Sequence, residues 1–116
     1  MFQRIIIARA LAQEPKILLL DEPTVHLDIS HQIEILDLIK KLNKENNFTV
    51  ISVFHDLNLA AQYCKRLRLI HNGNIFSTGS PRQVLTAENI KETYNIDVLV
   101  KNHPLNLTIY VAPIIH

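Results

Sequence analysis

Glycine is scarce: the 116 residues contain only two, Gly73 and Gly79. A phosphate-cradling loop of the form GxxxxGK[ST] cannot be built from them, because they stand one position too far apart and Ser80 follows where lysine is required. Cysteine is nearly absent as well. The single Cys64 excludes an internal disulfide and fits a reducing cytosol. No apolar run approaches the roughly 18 residues of a membrane-spanning helix, and the run Ile5 to Ala8 is cut by Arg9, which argues against a secretory signal. Excess charge is missing too. Lysine and arginine total 12 against 11 acidic residues, a net charge of +1 that gives no electrostatic reason to expect nucleic acid or an anionic membrane surface. What remains is a chain that is 47% hydrophobic, enough for one domain with a core, and the expectation is a soluble intracellular protein.

The pattern of what is present alternates between strand and helix. Met1 to Gln13 has helical spacing and is stopped by Pro15. Lys16 to Leu20 is a short apolar run of the kind found in parallel strands buried on both faces, and it ends in Asp21-Glu22-Pro23. Asp28 can cap a helix over Ile29 to Asn46 with Ile35, Leu38, Ile39 and Leu42 facing inward. Phe48 to Val53 reads as a second strand, and Asp56 as the cap of a helix running to Tyr63. Beyond Cys64, Leu67–His71 and Asn74–Thr78 flank an Asn72-Gly73 turn, a hairpin signal. Short helices follow at Pro81 to Leu85 and Ala87 to Tyr94. Weak alternation at Val98, Val100 and at Leu107, Ile109, Val111 suggests two more strands. The fold class expected is α/β, with parallel strands and flanking helices followed by a C-terminal hairpin and short helices.

In parallel sheets, chemistry gathers where strands end, at their carboxyl edge. Asp21 and Glu22 end one strand and His55 follows the other. Two adjacent carboxylates at the mouth of a buried strand need a partner if they are buried, and Mg²⁺ with phosphate would supply one for Asp21. Glu22, one step on, is placed to polarise a water against a γ-phosphate. The plainer reading is a strand that ends in polar residues at the surface.

The wider context decides between them. Asp21-Glu22-Pro23-Thr24, then Leu27-Asp28, then His55-Asp56 beyond one helix and one strand, resembles the ABC ATPases, a branch of the P-loop NTPase fold. Gln3 to Leu11 looks like the end of that family's signature motif and the helix after it. Lys16 to Glu22 looks like its Walker B strand, Val25 to Asp28 like its D-loop and His55 like its switch histidine. The resemblance implies that Asp21 holds Mg²⁺ through water and that Glu22 is the catalytic base. It further implies that His55 contacts the γ-phosphate, that Asp28 crosses a dimer interface, and that Gln3 and Arg4 adjoin the segment that would touch a partner's nucleotide. ATP and Mg²⁺ are the implied cofactors, and a second ATPase subunit with integral membrane permeases the implied partners. The implied location is the cytoplasmic side of the cell membrane.

Leu27 to Glu34, His55 to Cys64 and Gly79 to Ile90 are similar to ATPases that import iron–siderophore complexes, haem and cobalamin. On this resemblance residues 1–116 are the C-terminal part of a nucleotide-binding domain. The Walker A half and the glycines of the signature motif are expected to precede Met1, and turnover by the chain alone is not expected. Two other readings fit parts of the pattern. One is the C-terminal lobe of a chromosome-maintenance ATPase of the same superfamily, and the other a non-hydrolysing dimerisation fragment. The six histidines are scattered and lack metal-site spacing, His26 and His31 read as surface or interface residues, Cys64 as a small buried hydrophobe, and Tyr63 and Tyr94 as packing residues.

Overall fold

The computed structural model describes residues 17–23, 26–106 and 108–115. The helix expected over Met1 to Gln13 lies outside them. The chain divides into two compact units, residues 1–54 and 55–116.

The first unit is a strand–helix–strand motif: β1 (Ile17–Asp21), α1 (Ile29–Asn46) and β2 (Thr49–Val53). The strands pair in parallel, Ile17 opposite Thr49 through Asp21 opposite Val53. The helix forms where its caps allow it. The Asp28 carboxylate accepts from the His31 N–H at 3.0 Å, and Asn47 closes the far end in the left-handed conformation, donating its N–H to the Asn43 carbonyl. Ile35 and Ile39, four apart and so on one helix face, are buried against Leu20, Leu27, Leu42 and Val50. Burial of each is worth about 2 kcal/mol. Leu36 is buried as well, whereas Leu38, expected inside, is only half-buried. Leu38 lies toward the edge of the apolar stripe, where one helix lying on two strands covers it incompletely.

β1 departs from the expected double burial. Its side chains alternate, with Leu18 and Leu20 turned to one face and Ile17, Leu19 and Asp21 to the other. Leu18 is buried, but Leu19 is 72% exposed, and Ile51, its partner across the ladder, is 53% exposed. One helix covers one face of a two-stranded sheet, so the second apolar face is left open to solvent among the described residues.

The second unit holds the remaining elements: α2 (Leu57–Tyr63), β3 (Leu67–His71), β4 (Asn74–Gly79), α3 (Pro81–Val84), α4 (Ala87–Tyr94), β5 (Val98–Asn102) and β6 (Ile109–Pro113). β3 and β4 form the expected hairpin. Asn72 and Gly73 both take positive φ, 51° and 77°, the geometry of a two-residue turn that matches strand twist. A bulge interrupts the ladder between Leu69 and Ile70. The short helices depend on their caps. Asp56 accepts from the N–H groups of Asn58 and Leu59, Ser80 and Gln83 make a reciprocal capping box, and Thr86 caps α4. The two tail strands pair antiparallel, Val98 opposite Pro113 through Asn102 opposite Ile109. Ala61, Leu69, Val84, Leu85, Ile90, Val98, Ile109 and Val111 make one core from all of these elements except β4. Tyr94, expected to pack, is exposed at the last position of α4, whereas Ile90 on the same helix is buried. Cys64 is half-buried at the end of α2, and burial pushes its thiol pKa up. Among the described residues, no helix is long and apolar enough to cross a membrane.

On β2, opposite Leu20, the Ser52 hydroxyl is buried and has no hydrogen-bond partner among the described residues. Leaving such a group unpaired costs about 1 kcal/mol or more. Ser52→Ala is therefore expected to raise the midpoint of urea denaturation, a stabilisation of about 1 kcal/mol. A clear loss of stability would show that the hydroxyl is satisfied.

Candidate functional site

The strand-end acids are positioned by the parallel ladder. Asp21 is the last residue of β1 and stands opposite Val53, the last of β2. One rung further, the Glu22 N–H donates to the Val53 carbonyl at 3.1 Å. The chain then leaves the sheet abruptly, because Glu22 takes φ +47°. For a residue with a side chain this left-handed conformation costs roughly 1–2 kcal/mol. Pro23, which follows it, is buried and disfavours the right-handed helical region for the residue before it. His26 is a second left-handed residue, at φ +63°, before Asp28 opens α1. Strain of this kind persists where the surroundings enforce it and is concentrated at functional turns.

The carboxylates are accessible. Asp21 is exposed and Glu22 half-exposed, so the desolvation reasoning that called for a charged partner does not apply to them here. Their geometry carries the case instead: two acids, one on a strand end and one on a strained turn, at the carboxyl edge of parallel strands. No group of three or more His, Cys, Asp or Glu side chains among the described residues is arranged to hold a metal ion. A lone exposed carboxylate such as Asp21 is a hard oxygen donor. It suits Mg²⁺, which keeps several waters and takes its remaining ligands from phosphate, better than a metal that needs a complete protein cage.

Asp28 belongs to the same unit and is engaged by its own helix. Its Oδ1 accepts from the His31 N–H and the Ser30 hydroxyl, both at 3.0 Å, and lies 2.9 Å from His31 Nδ1. These donors hold its carboxyl below the usual carboxylate range, the His31 N–H most of all. His31, read from sequence as a surface or interface residue, is thus part of the cap. Its place three residues after an N-cap aspartate was the available signal. His55 is in the second unit, exposed, and immediately precedes Asp56, the N-cap of α2. Gln3 and Arg4 lie outside the described residues.

Comparison with known proteins gives one consistent result. No protein-family profile matches the chain. It is 44% identical over 112 residues to the ferric enterobactin transport ATP-binding protein FepC of Escherichia coli K12, covering 97% of this chain and 41% of that protein. It is 47% identical over 107 residues to the hemin import ATP-binding protein HmuV of Vibrio cholerae, covering 88% of this chain and 41% of that one. Among solved structures, a chain of an ABC transporter assigned to the metal-chelate type, in an inward-facing conformation, superposes with a TM-score of 0.87 at 30% identity. The match covers 97% of this chain and 46% of the other. The chain thus spans about two fifths of the length of these curated relatives. The solved likeness also bears out the ABC ATPase fold expected from the sequence.

Two outcomes follow from the local geometry. Glu22→Gly is expected to remove the left-handed strain and to leave stability unchanged or raise it by up to about 1 kcal/mol, while Glu22→Val lowers it. Chemical denaturation of the two variants measures the difference, and a destabilised Glu22→Gly would contradict the strain. For Asp28 the folded carboxyl titrates below its ordinary value of 3.8. Its contribution is therefore complete above that value and is lost as pH falls through the lower folded one. The His31 amide resonance should report loosening of the first turn of α1 under acid, and Asp28→Asn should flatten that acid dependence while keeping the cap.

Proposed function

Because its homologues are ABC transporter ATP-binding proteins, we propose that this chain is the part of such a subunit that carries the hydrolytic acid pair, the D-loop and the switch histidine. The observation that carries this reading is the placement of Asp21 and Glu22 at the carboxyl edge of the parallel pair. In the proposed mechanism Glu22 accepts the proton of the attacking water. Its backbone, pinned to Val53, keeps the carboxylate beside the strand end. Asp21 would hold Mg²⁺ through water, and the ion when bound would supply charge neutralisation for the phosphates. His55 contacts the γ-phosphate. Asp28, Gln3 and Arg4 serve the interface with a second ATPase subunit. This sequence has no GxxxxGK[ST] to serve as a phosphate cradle.

The proposed setting is an importer of an iron chelate or a related metal complex, with integral membrane permeases as partners and the cytoplasmic face of the membrane as location. Support for the solute class comes from the relatives' names, ferric enterobactin and hemin, and from the metal-chelate type of the solved transporter. These matches are all transport proteins, which weighs against the chromosome-maintenance reading.

A graft tests the proposal: this chain is placed in frame at the matching positions of the E. coli ferric enterobactin protein. Magnesium-dependent phosphate release is expected from the graft, and Glu22→Gln should reduce it by about 10²–10⁴-fold. The ungrafted chain should release none. Undiminished release in Glu22→Gln, or magnesium-dependent turnover by the chain alone, would overturn the reading.

A further inference from the structure

The second unit contains a side chain that acts as a piece of strand backbone. Asn58, in the first turn of α2, donates its Nδ2 to the Val111 carbonyl at 3.1 Å and accepts the Val111 N–H on Oδ1 at 2.7 Å. A primary amide presents one donor and one acceptor in a plane, the pair that a neighbouring strand would present to Val111. The contact joins residues 53 positions apart. One turn along α2, on the same face, Gln62 donates to the Thr108 hydroxyl at 2.8 Å and accepts from the Asn106 amide at 2.5 Å. Between them Ala61 is buried in the core that also holds Ile109 and Val111. The helix is thus fixed to the approach and middle of β6 at two polar points with an apolar contact between them.

The tie continues upstream without a gap. The N–H groups of Asn58 and Leu59 donate to the Asp56 carboxylate at 2.9 and 3.1 Å. Asp56 is bonded to His55 through the peptide. Val111 backbone, Asn58 and the Asp56 carboxylate are thus linked by hydrogen bonds on either side of Asn58, in a line that ends beside His55. A seven-residue helix has little cooperative stability of its own, so its first turn is held by these contacts rather than by propagation from its interior.

We propose that Asn58 is a positioning residue: by pairing with Val111 it makes the C-terminal sheet β5–β6 the anchor that holds the segment carrying His55. This rests on the reading of His55 as the switch histidine for its functional meaning, but the positioning itself requires no nucleotide. Asparagine suits the role and other residues do not. Alanine and leucine lack both polar groups, and glutamine sets its amide one methylene too far out. Aspartate at neutral pH keeps the acceptor but has lost the donor that meets the Val111 carbonyl.

The test is backbone ¹⁵N relaxation on the 116-residue chain, following the amides of His55 and Asp56, with Ile90 as the reference in the core. In the unaltered chain the order parameters of all three should lie in the rigid range near ~0.85. In Asn58→Leu those of His55 and Asp56 should drop toward ~0.6 while Ile90 keeps its value. A merely structural role would lower all three together or none, and either result overturns the proposal. Should Asn58→Leu fail to fold, Asn58→Asp decides. Its carboxyl, once protonated below about pH 4, again offers a donor and an acceptor, so order at His55 should recover on acidification. Each pH is compared with the unaltered chain. No recovery relative to that chain overturns the proposal. Because none of these measurements uses ATP, a failure here leaves the hydrolytic reading standing, and a failure of the graft leaves the positioning standing.

Discussion

The parallel pairing of Ile17–Asp21 with Thr49–Val53 is the constraint from which the proposed chemistry follows. A parallel pair puts both carboxyl ends at the same edge, and the last rung, from the Glu22 N–H to the Val53 carbonyl, decides where the chain leaves the sheet. Glu22 takes a left-handed conformation at that rung, the turn departs sharply, and both carboxylates are accessible. A one-residue slip in register would reverse which side chains face α1, moving Leu18 and Leu20 out and Asp21 in. The burial of Ile35 and Ile39 against Leu20 and Val50 opposes such a slip. Packing of one helix face thereby fixes the position of a carboxylate on the opposite face of the sheet.

The second unit is held together differently. Its helices are short, its sheets have two strands each, and its core is one small apolar cluster. Local polar contacts provide much of the definition: an aspartate cap on α2, a capping box on α3, a threonine cap on α4, and left-handed asparagines at the ends of the turns and helices. Asn58 and Gln62 add polar contacts to residues 53 and 46 positions away, and Arg82 adds one to Asn102. An element fixed mainly by a few directional bonds can be released by losing one of them, which gives a single amide leverage over the segment next to it.

Much of this organisation was legible in the residues. Caps and turns were the clearest signals, since Asp28, Asp56 and the Asn72-Gly73 pair act through contacts a few residues away. Helix Ile29–Asn46 and helix Ala87–Tyr94 have the bounds their spacing predicts. The misreadings share a cause, which is dependence on what lies across the fold. An apolar run such as Ile17–Leu20 suggests burial on both faces, but whether the second face is covered depends on other segments, and Leu19 and Ile51 are exposed. Tyr94 is likewise decided by the position of the core relative to the end of its helix. Of the candidate site, the strand-end acids and their edge were legible. The left-handed turn at Glu22 was not, because glutamate carries no conformational signal for positive φ. Asn58 was visible only as one more polar residue in a helix, since its partner is 53 positions away.

The reading of Asp21 and Glu22 as the edge that faces a metal–nucleotide complex can be tested by paramagnetic relaxation. Mn²⁺ supplied with ATP replaces Mg²⁺ in the graft that carries this chain, and the amide resonances are followed by NMR. The account predicts that the Asp21 and Glu22 signals broaden first and that Ile90 keeps its intensity. Intact Asp21 and Glu22 signals alongside broadening elsewhere in residues 17–115 would contradict it.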